Sequence, residues 1–181
     1  QVRDVVRQPD DKLVAVGHRA ISTTSLRSWL TVFRLRADGL VDTTFGHDGM
    51  VELYIDYVNR DQGGMSVILD PDGRIVVAGS RDAQMIVLRL LPNGSFDDSF
   101  GESGAFVDTE RAFGAGVRIL RTVGGSYRVI GAGCQVVGLT GAGALTASVQ
   151  TLNLSGGTLG GAGTATVNGA LNWTGDSTLG D

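Results

Sequence analysis

The sequence predicts an all-β protein made of small four-stranded antiparallel sheets followed by a solenoid, and three observations predict it. First, residues 85–107, MIVLRLLPNGSFDDSFGESGAFV, nearly restate residues 30–51: Phe33, Arg34, Gly39, Asp42, Phe45, Gly46 and Gly49 correspond to Leu88, Arg89, Gly94, Asp97, Phe100, Gly101 and Gly104 at one constant offset. Second, Val14, Ala15 and Val16, like Ile75, Val76, Val77 and Ala78, are apolar on consecutive positions and therefore on both faces of a strand. Such strands need cover from two sides, and repeats stacked as propeller blades supply it for one another. Third, the composition changes beyond residue 134, where short β-prone segments recur between glycines.

In chain order, residues 2–7 and 12–17 form a hairpin about the turn Pro9-Asp10-Asp11. The same hairpin returns at 67–69 and 74–79 about Pro71-Asp72-Gly73, and again at 119–121 and 127–131 about Gly124-Gly125. A variable loop, 18–28 in the first unit and the shorter 80–84 in the second, leads to a third strand at 30–36 or 85–91. Asp38-Gly39 and Asn93-Gly94 are strong turn signals after it. A fourth strand at 50–53 or 105–107 closes each unit. The predicted division is therefore propeller blades over 1–133, with repeats 1–63, 64–116 and a partial 117–133, then a junction at 134–140 and Gly/Thr-rich repeats over 141–181. Two and a half blades fall short of a closed propeller, so further blades are expected upstream or in another chain. Lacking an initiator methionine and starting and ending inside repeats, the sequence reads as a piece of something longer.

The tail has its own period. TGAGALTASVQTLNLSGGTLG is followed by GGAGTATVNGALNWTGDSTLG, a spacing near 20 residues that equals one coil of a β-solenoid. A Gly/Thr/Ser linker is the alternative, although linkers have no reason to place aliphatic residues and Trp173 periodically. A membrane span over 129–149 fits least, because that uncharged stretch is rich in glycine and poor in Leu, Ile and Phe.

The unit motifs, QPDDKLVAVG with FRLRADGLVDTTFGHDG and DPDGRIVVAG with LRLLPNGSFDDSFGESG, resemble the bacterial delta-60 repeat, a propeller-forming family. The resemblance covers about residues 1–133; the third copy departs from it, since Val123-Gly124-Gly125-Ser126 replaces the PDG turn and no DxxFG follows. It implies a bacterial secreted or surface protein with no established chemistry. The tail is similar to the passenger repeats of bacterial surface and autotransporter-like proteins, which again implies an extracellular setting.

Charge excludes some functions. The net charge of −4, with a single lysine among fifteen cations, advertises no surface for nucleic acid or anionic lipid. The lone Cys134 cannot form an internal disulfide and reads as a buried, inert thiol. The Asp-x-x-Phe-Gly element, Asp42, Phe45, Gly46 and Asp97, Phe100, Gly101, is the most prominent polar motif. Its carboxylate can accept turn N–H groups, its Phe can fill the space between sheets and its Gly can take a positive φ, so occurrence once per unit marks a structural role. Asp70 and Asp72 lack the further acids of a calcium loop, and the neighbouring pairs Asp10-Asp11 and Asp97-Asp98 point to opposite faces of extended chain. His18 and His47 have no ligand partner at metal spacing, and the GAG tripeptides lack the third glycine of a nucleotide loop. Asn93, Asn153 and Asn172 fit a glycosylation pattern that arises easily in such turns, and Trp29 and Trp173 can stack on sugars if exposed.

The expectation is thus a non-enzymatic structural or adhesive module of a bacterial extracellular or cell-surface protein. No cofactor and no metal is expected; the partners would be a glycan or protein at the surface and the rest of the parent chain, with no nucleic acid and no membrane insertion. The alternatives are a carbohydrate- or calcium-binding propeller module holding its ligand in the loops 18–28, 54–64 and 80–84, and a non-catalytic part of a larger secreted hydrolase or lyase.

Overall fold

The computed structural model describes residues 1–20, 28–55, 63–81, 84–112, 118–131, 136–159 and 165–179. Among these residues every regular element is a strand, and no helix is long and apolar enough to cross a membrane. The first sheet runs β1 (Val2–Arg7), β2 (Leu13–Ala20), β3 (Ser28–Leu35) and β4 (Met50–Ile55), each strand antiparallel to the next. The second repeats that order with β5 (Gly63–Leu69), β6 (Ile75–Arg81), β7 (Gln84–Leu90) and β8 (Ala105–Ala112). The third begins with β9 (Arg118–Arg121), β10 (Tyr127–Ile130) and β11 (Val136–Leu139), then continues into β12 (Leu145–Leu159) and β13 (Ala165–Leu179).

Two turns recur in all three sheets, and hydrogen bonding shows why those residues make them. At the first, the N–H of Gln8, Asp70 or Thr122 donates to the carbonyl of Lys12, Arg74 or Ser126 at 2.7, 2.9 and 2.8 Å. Closing that turn puts one residue at positive φ: Gly73 and Gly125 in two copies, but Asp11, at 65°, in the first. At the second turn the N–H of Arg36, Leu91 or Thr140 donates to the carbonyl of Leu40, Ser95 or Ala144 at 2.8, 2.8 and 2.7 Å. Gly39, Gly94 and Gly143 occupy its positive-φ position at 83°, 91° and 80°, where a side chain would be strained.

The third unit therefore extends further than its sequence suggests. Residues 136–140, expected in the junction, supply its third strand and the start of its second turn, and 141–144, expected to open the Gly/Thr-rich repeats, complete that turn. Gly138 pairs with Thr146 and Leu139 with Leu145, after which β12 leaves the blade pattern. β12 and β13 then pair in parallel, from Ala147 with Ala165 to Leu159 with Leu179. Within this parallel pair Leu152 and Asn153 meet Leu171 and Asn172, and Ser148 meets Thr166.

The core lies between the sheets. Ile75 and Val77 of β6 join Val14, Val16, Leu30, Val32 and Phe45 in a cluster between the first and second sheets. Val76 and Ala78 join Phe100, Tyr127, Val129, Val137 and Leu139 in a second cluster between the second and third. The period-2 alternation thus sends successive β6 residues into two different cores, and all four are fully buried. Each such valine or isoleucine contributes about 1.5–3 kcal/mol relative to exposure. Near the inner strands, Asp4 of β1 ties all three sheets together: its Oδ2 accepts from Ser66 Oγ at 3.1 Å and Val67 N at 3.0 Å, and lies 3.3 Å from Arg118 Nη1.

Candidate functional site

The polar motif of each unit forms a compact cluster at the junction with the next. In the first unit Arg34, on β3, and Asp42, eight residues on, are both buried, with Arg34 Nε donating to Asp42 Oδ2 at 2.8 Å. The guanidinium carbon sits 4.7 Å from the Phe45 ring centroid, a cation–π contact that holds the ring between the sheets. Thr44 donates to Asp42 Oδ1 through its hydroxyl at 2.6 Å and its N–H at 3.2 Å, and Lys12 Nζ lies 3.4 Å from Oδ2. The Thr44 hydroxyl does most to bring the Asp42 carboxyl down to about 2; burial opposes that shift, and the Thr44 N–H and Arg34 add to it.

The second unit reproduces the cluster. Arg89 Nε donates to Asp97 Oδ2 at 2.8 Å and the guanidinium lies 4.8 Å from the Phe100 centroid. Ser99 donates to Asp97 Oδ1 from its hydroxyl at 2.6 Å and its N–H at 3.1 Å. Arg74 replaces Lys12 as the second cation, with Nε 2.8 Å from Asp97 Oδ2. Burial pushes the Asp97 carboxyl up, but the Ser99 donors and Arg89 outweigh it and leave it below the usual range.

Each cluster also reaches into the following unit. Arg34 Nη1 donates to Pro92 O at 2.7 Å, and Arg89 Nη1 donates to Gly141 O. Beside these bonds Gly46 N donates to Asn93 O at 2.8 Å and Gly101 N to Ala142 O at 2.9 Å. The approach is so close that a Cβ on Gly94 would stand 2.6 Å from Gly46 N, and one on Gly143 would stand 2.7 Å from Gly101 N. We call this arrangement a latch: the Arg and the Phe-Gly of one unit grip the second turn of the next.

The latch stops at the third unit. Gly138 stands at the position of Arg34 and Arg89, and Thr146, its cross-strand neighbour, at the position of Asp42 and Asp97. Both members of the buried pair are gone together, which avoids the several kcal/mol that a single stranded charge would cost.

The remaining candidates are dispersed. Asp72 pairs with Arg74 at the surface, while Asp70 is buried, accepts from the Tyr127 hydroxyl and lies 2.9 Å from Arg121 Nε. Desolvation, then the Asp70 carboxylate, pushes the Tyr127 hydroxyl up to about 12. Asp10 and Asp11 pair separately, with Lys12 and with Arg7. His18 lies within β2 rather than in the expected loop, and Trp29 lies in β3. His47 is exposed beside Asp48. Of the segments expected as variable loops, Ser28 belongs to β3, Tyr54 and Ile55 to β4, Gly63 and Gly64 to β5, Ser80 and Arg81 to β6, and Gln84 to β7; residues 21–27, 56–62 and 82–83 lie outside the described residues, as does Cys134. Among the described residues no group of three or more His, Cys, Asp or Glu converges as metal ligands would. A cleft of about 420 Å³ opens where the first two units meet, and Thr44, His47, Glu52, Asn93 and Ser95 supply its polar lining.

The sequence singled out Asp42, Phe45 and Gly46 with their second-unit copies, but not the arginine that completes each cluster. The available signal was the Arg-to-Asp spacing of eight residues, kept in both units and lost in the third.

Fold and clusters together define an all-β repeat protein of propeller-like blades. The model of a β-propeller domain of unknown function, DUF5122, matches residues 71–100, the segment from the PDG turn of the second unit to Phe100. Comparison with curated proteins gives no match. Among solved structures, a protein of unknown function from Bacteroides caccae is similar at 14% identity and a TM-score of 0.46, covering 80% of this chain. The chain spans 44% of that protein's length.

Proposed function

We propose that this chain is a non-enzymatic structural or adhesive module of a bacterial secreted or cell-surface protein, a repeat scaffold that presents a binding face to a glycan or protein. The observation that carries the reading is the engagement of the motif acids. Asp42 and Asp97 each hold an arginine and a hydroxyl and are kept ionised well below neutral pH, which suits a structural anion and not a proton-transfer group. On the same reading β12 and β13 are successive coils of a Gly/Thr-rich β-solenoid, a view supported by their parallel pairing at a spacing near 20 residues.

The polar cleft between the first two units favours a second reading, a carbohydrate- or calcium-binding module. Titration calorimetry of the full chain against calcium and a glycan panel separates the two. Flat traces support the scaffold. Saturable heat that disappears in Glu52→Gln replaces it with the ligand-binding module. Antibody labelling of intact cells tests the surface location independently.

A further inference from the structure

The turn gripped by the first latch carries a reactive sequence. In Asn93-Gly94 the main-chain nitrogen that can attack the side-chain amide belongs to glycine, which has no Cβ to hinder the approach. Asn93 is exposed and lines the cleft between the first two units, so water reaches it. Gly94, by contrast, is buried. Its N–H donates to Leu91 O at 2.9 Å, and Asn93 O accepts from Gly46 N at 2.8 Å. The Asn93 Oδ1 accepts from Ser95 N at 3.0 Å. Both reacting groups are therefore committed while the latch is shut.

The first unit supplies a contrast. Its corresponding turn makes the same bonds, with Gly39 N donating to Arg36 O at 2.9 Å and Leu40 N to Asp38 Oδ1 at 3.0 Å. Among the described residues nothing grips it. Gly39 is exposed and a Cβ there would meet nothing within 4 Å, whereas on Gly94 it would stand 2.6 Å from Gly46 N. Asp38 in that turn also shows that an aspartate fits the position. The gripped turn of the third unit has Ala142 ahead of Gly143 and no side-chain amide to lose.

We propose that Asn93 is a modification site at which the first latch controls conversion of asparagine to aspartate and isoaspartate. When the turn opens, the Gly94 nitrogen gives its proton to solvent base and attacks Asn93 Cγ. The new N–Cγ bond forms, the Cγ–Nδ2 bond breaks and ammonia leaves. Water then opens the cyclic imide at one of its two carbonyls. Hydrolysis at Cγ restores an aspartyl chain, which the turn accepts as it accepts Asp38. Hydrolysis at the main-chain carbonyl gives isoaspartate, which routes the chain through Cβ and Cγ and turns the former Asn93 carbonyl into a free carboxylate. Gly46 N then finds its acceptor displaced, and an extra chain carbon enters a turn with no room for a Cβ. The latch cannot close on that product, so one slow step makes release of the joint permanent. The inference holds for a scaffold and for a ligand-binding module alike.

The test places Asp38→Asn in the full chain, which puts a second Asn-Gly pair in the open turn of the first unit. Tandem mass spectrometry then follows amide loss and isoaspartate at both turns of the same molecule. In the folded chain the amide introduced by Asp38→Asn is expected to be lost about tenfold faster than that of Asn93; in urea, where no latch exists, the two rates should agree within about twofold. Arg34→Met with Asp42→Ala removes the latch charges and is expected to speed Asn93 toward the rate of the open turn while leaving the latter unchanged. The isoaspartyl form, isolated by ion exchange, should melt at least about 3 °C below Asn93→Asp. Equal rates at the two turns of the folded chain overturn the proposal, because the turn bonds and not the latch then set the pace. So does an Asn93 rate indifferent to loss of the latch charges, or an isoaspartyl chain that melts together with Asn93→Asp.

Discussion

Removing the Asp42 carboxylate should destabilise the protein more than removing the whole pair to which it belongs. Arg34 is buried and directs Nε at Asp42, Nη1 at Pro92 O and Nη2 at Thr44 Oγ1. Asp42→Ala leaves that buried guanidinium without its counter-ion, a loss of about 3 kcal/mol, whereas Lys12 keeps Asp10 as a partner. The ionisation of Asp42 alone accounts for part of it. A carboxyl brought from 3.8 to about 2 corresponds to roughly 2 kcal/mol, discounted to about 1–2 kcal/mol because Lys12 and the turn admit water. Arg34→Met with Asp42→Ala removes both charges and keeps an apolar stem over Phe45. The double variant is therefore expected to lose less than the sum of the singles, with a coupling of about 2 kcal/mol. Urea unfolding followed by Trp29 fluorescence measures all four members of the cycle. An Asp42→Ala loss under about 1 kcal/mol, or strictly additive singles, would refute the reasoning, since a buried charge cannot lose its partner without cost.

Other outcomes follow from the same geometry. Asp42 and Asp97 have lowered folded-state values, so the unfolded chain takes up their protons first; the stability they confer is present above about 3.8 and is lost as pH falls further, for Asp42 through about 2, which acid titration of the unfolding midpoint will show. Tyr127 has a raised value, so its contribution is complete below 10 and is lost as pH rises through about 12; tyrosinate absorbance should show it ionising late, and Tyr127→Phe should remove that alkaline window. Asp11→Gly is expected to raise the unfolding free energy by up to about 1 kcal/mol, because glycine relieves a φ of 65° and the lost partner, Arg7, is a surface residue. A fall in stability would mean that the Arg7 pair outweighs backbone strain.

The blades were legible where local chemistry decides them. Pro-Asp-Gly and Asn-Gly turns between two-faced apolar runs need no distant partner to be recognised, and the first two sheets lie where those signals put them. The third unit was cut short because composition and structure part company there. The cationic residues stop at Arg128, yet Val137 and Leu139 still fill the core and Gly143 still makes the turn against Phe100. A change in residue content marks what a face touches, not where a sheet ends. The latch arginines were hidden for another reason. Arg34 reads as an ordinary surface charge until Pro92, 58 residues away, is brought beside it. Asp70 was weighed only with its turn neighbour Asp72, as a calcium-loop pair lacking further acids, whereas its partners Tyr127 and Arg121 come from the following sheet.

The latch has a bearing on how such a chain lengthens. One module holds both plug and socket, so copying it in tandem delivers a fitting joint at each new boundary without any compensating change elsewhere. Retiring the joint is harder, because arginine and aspartate must go in concert; the third unit, with Gly138 and Thr146 at those two positions, carries neither.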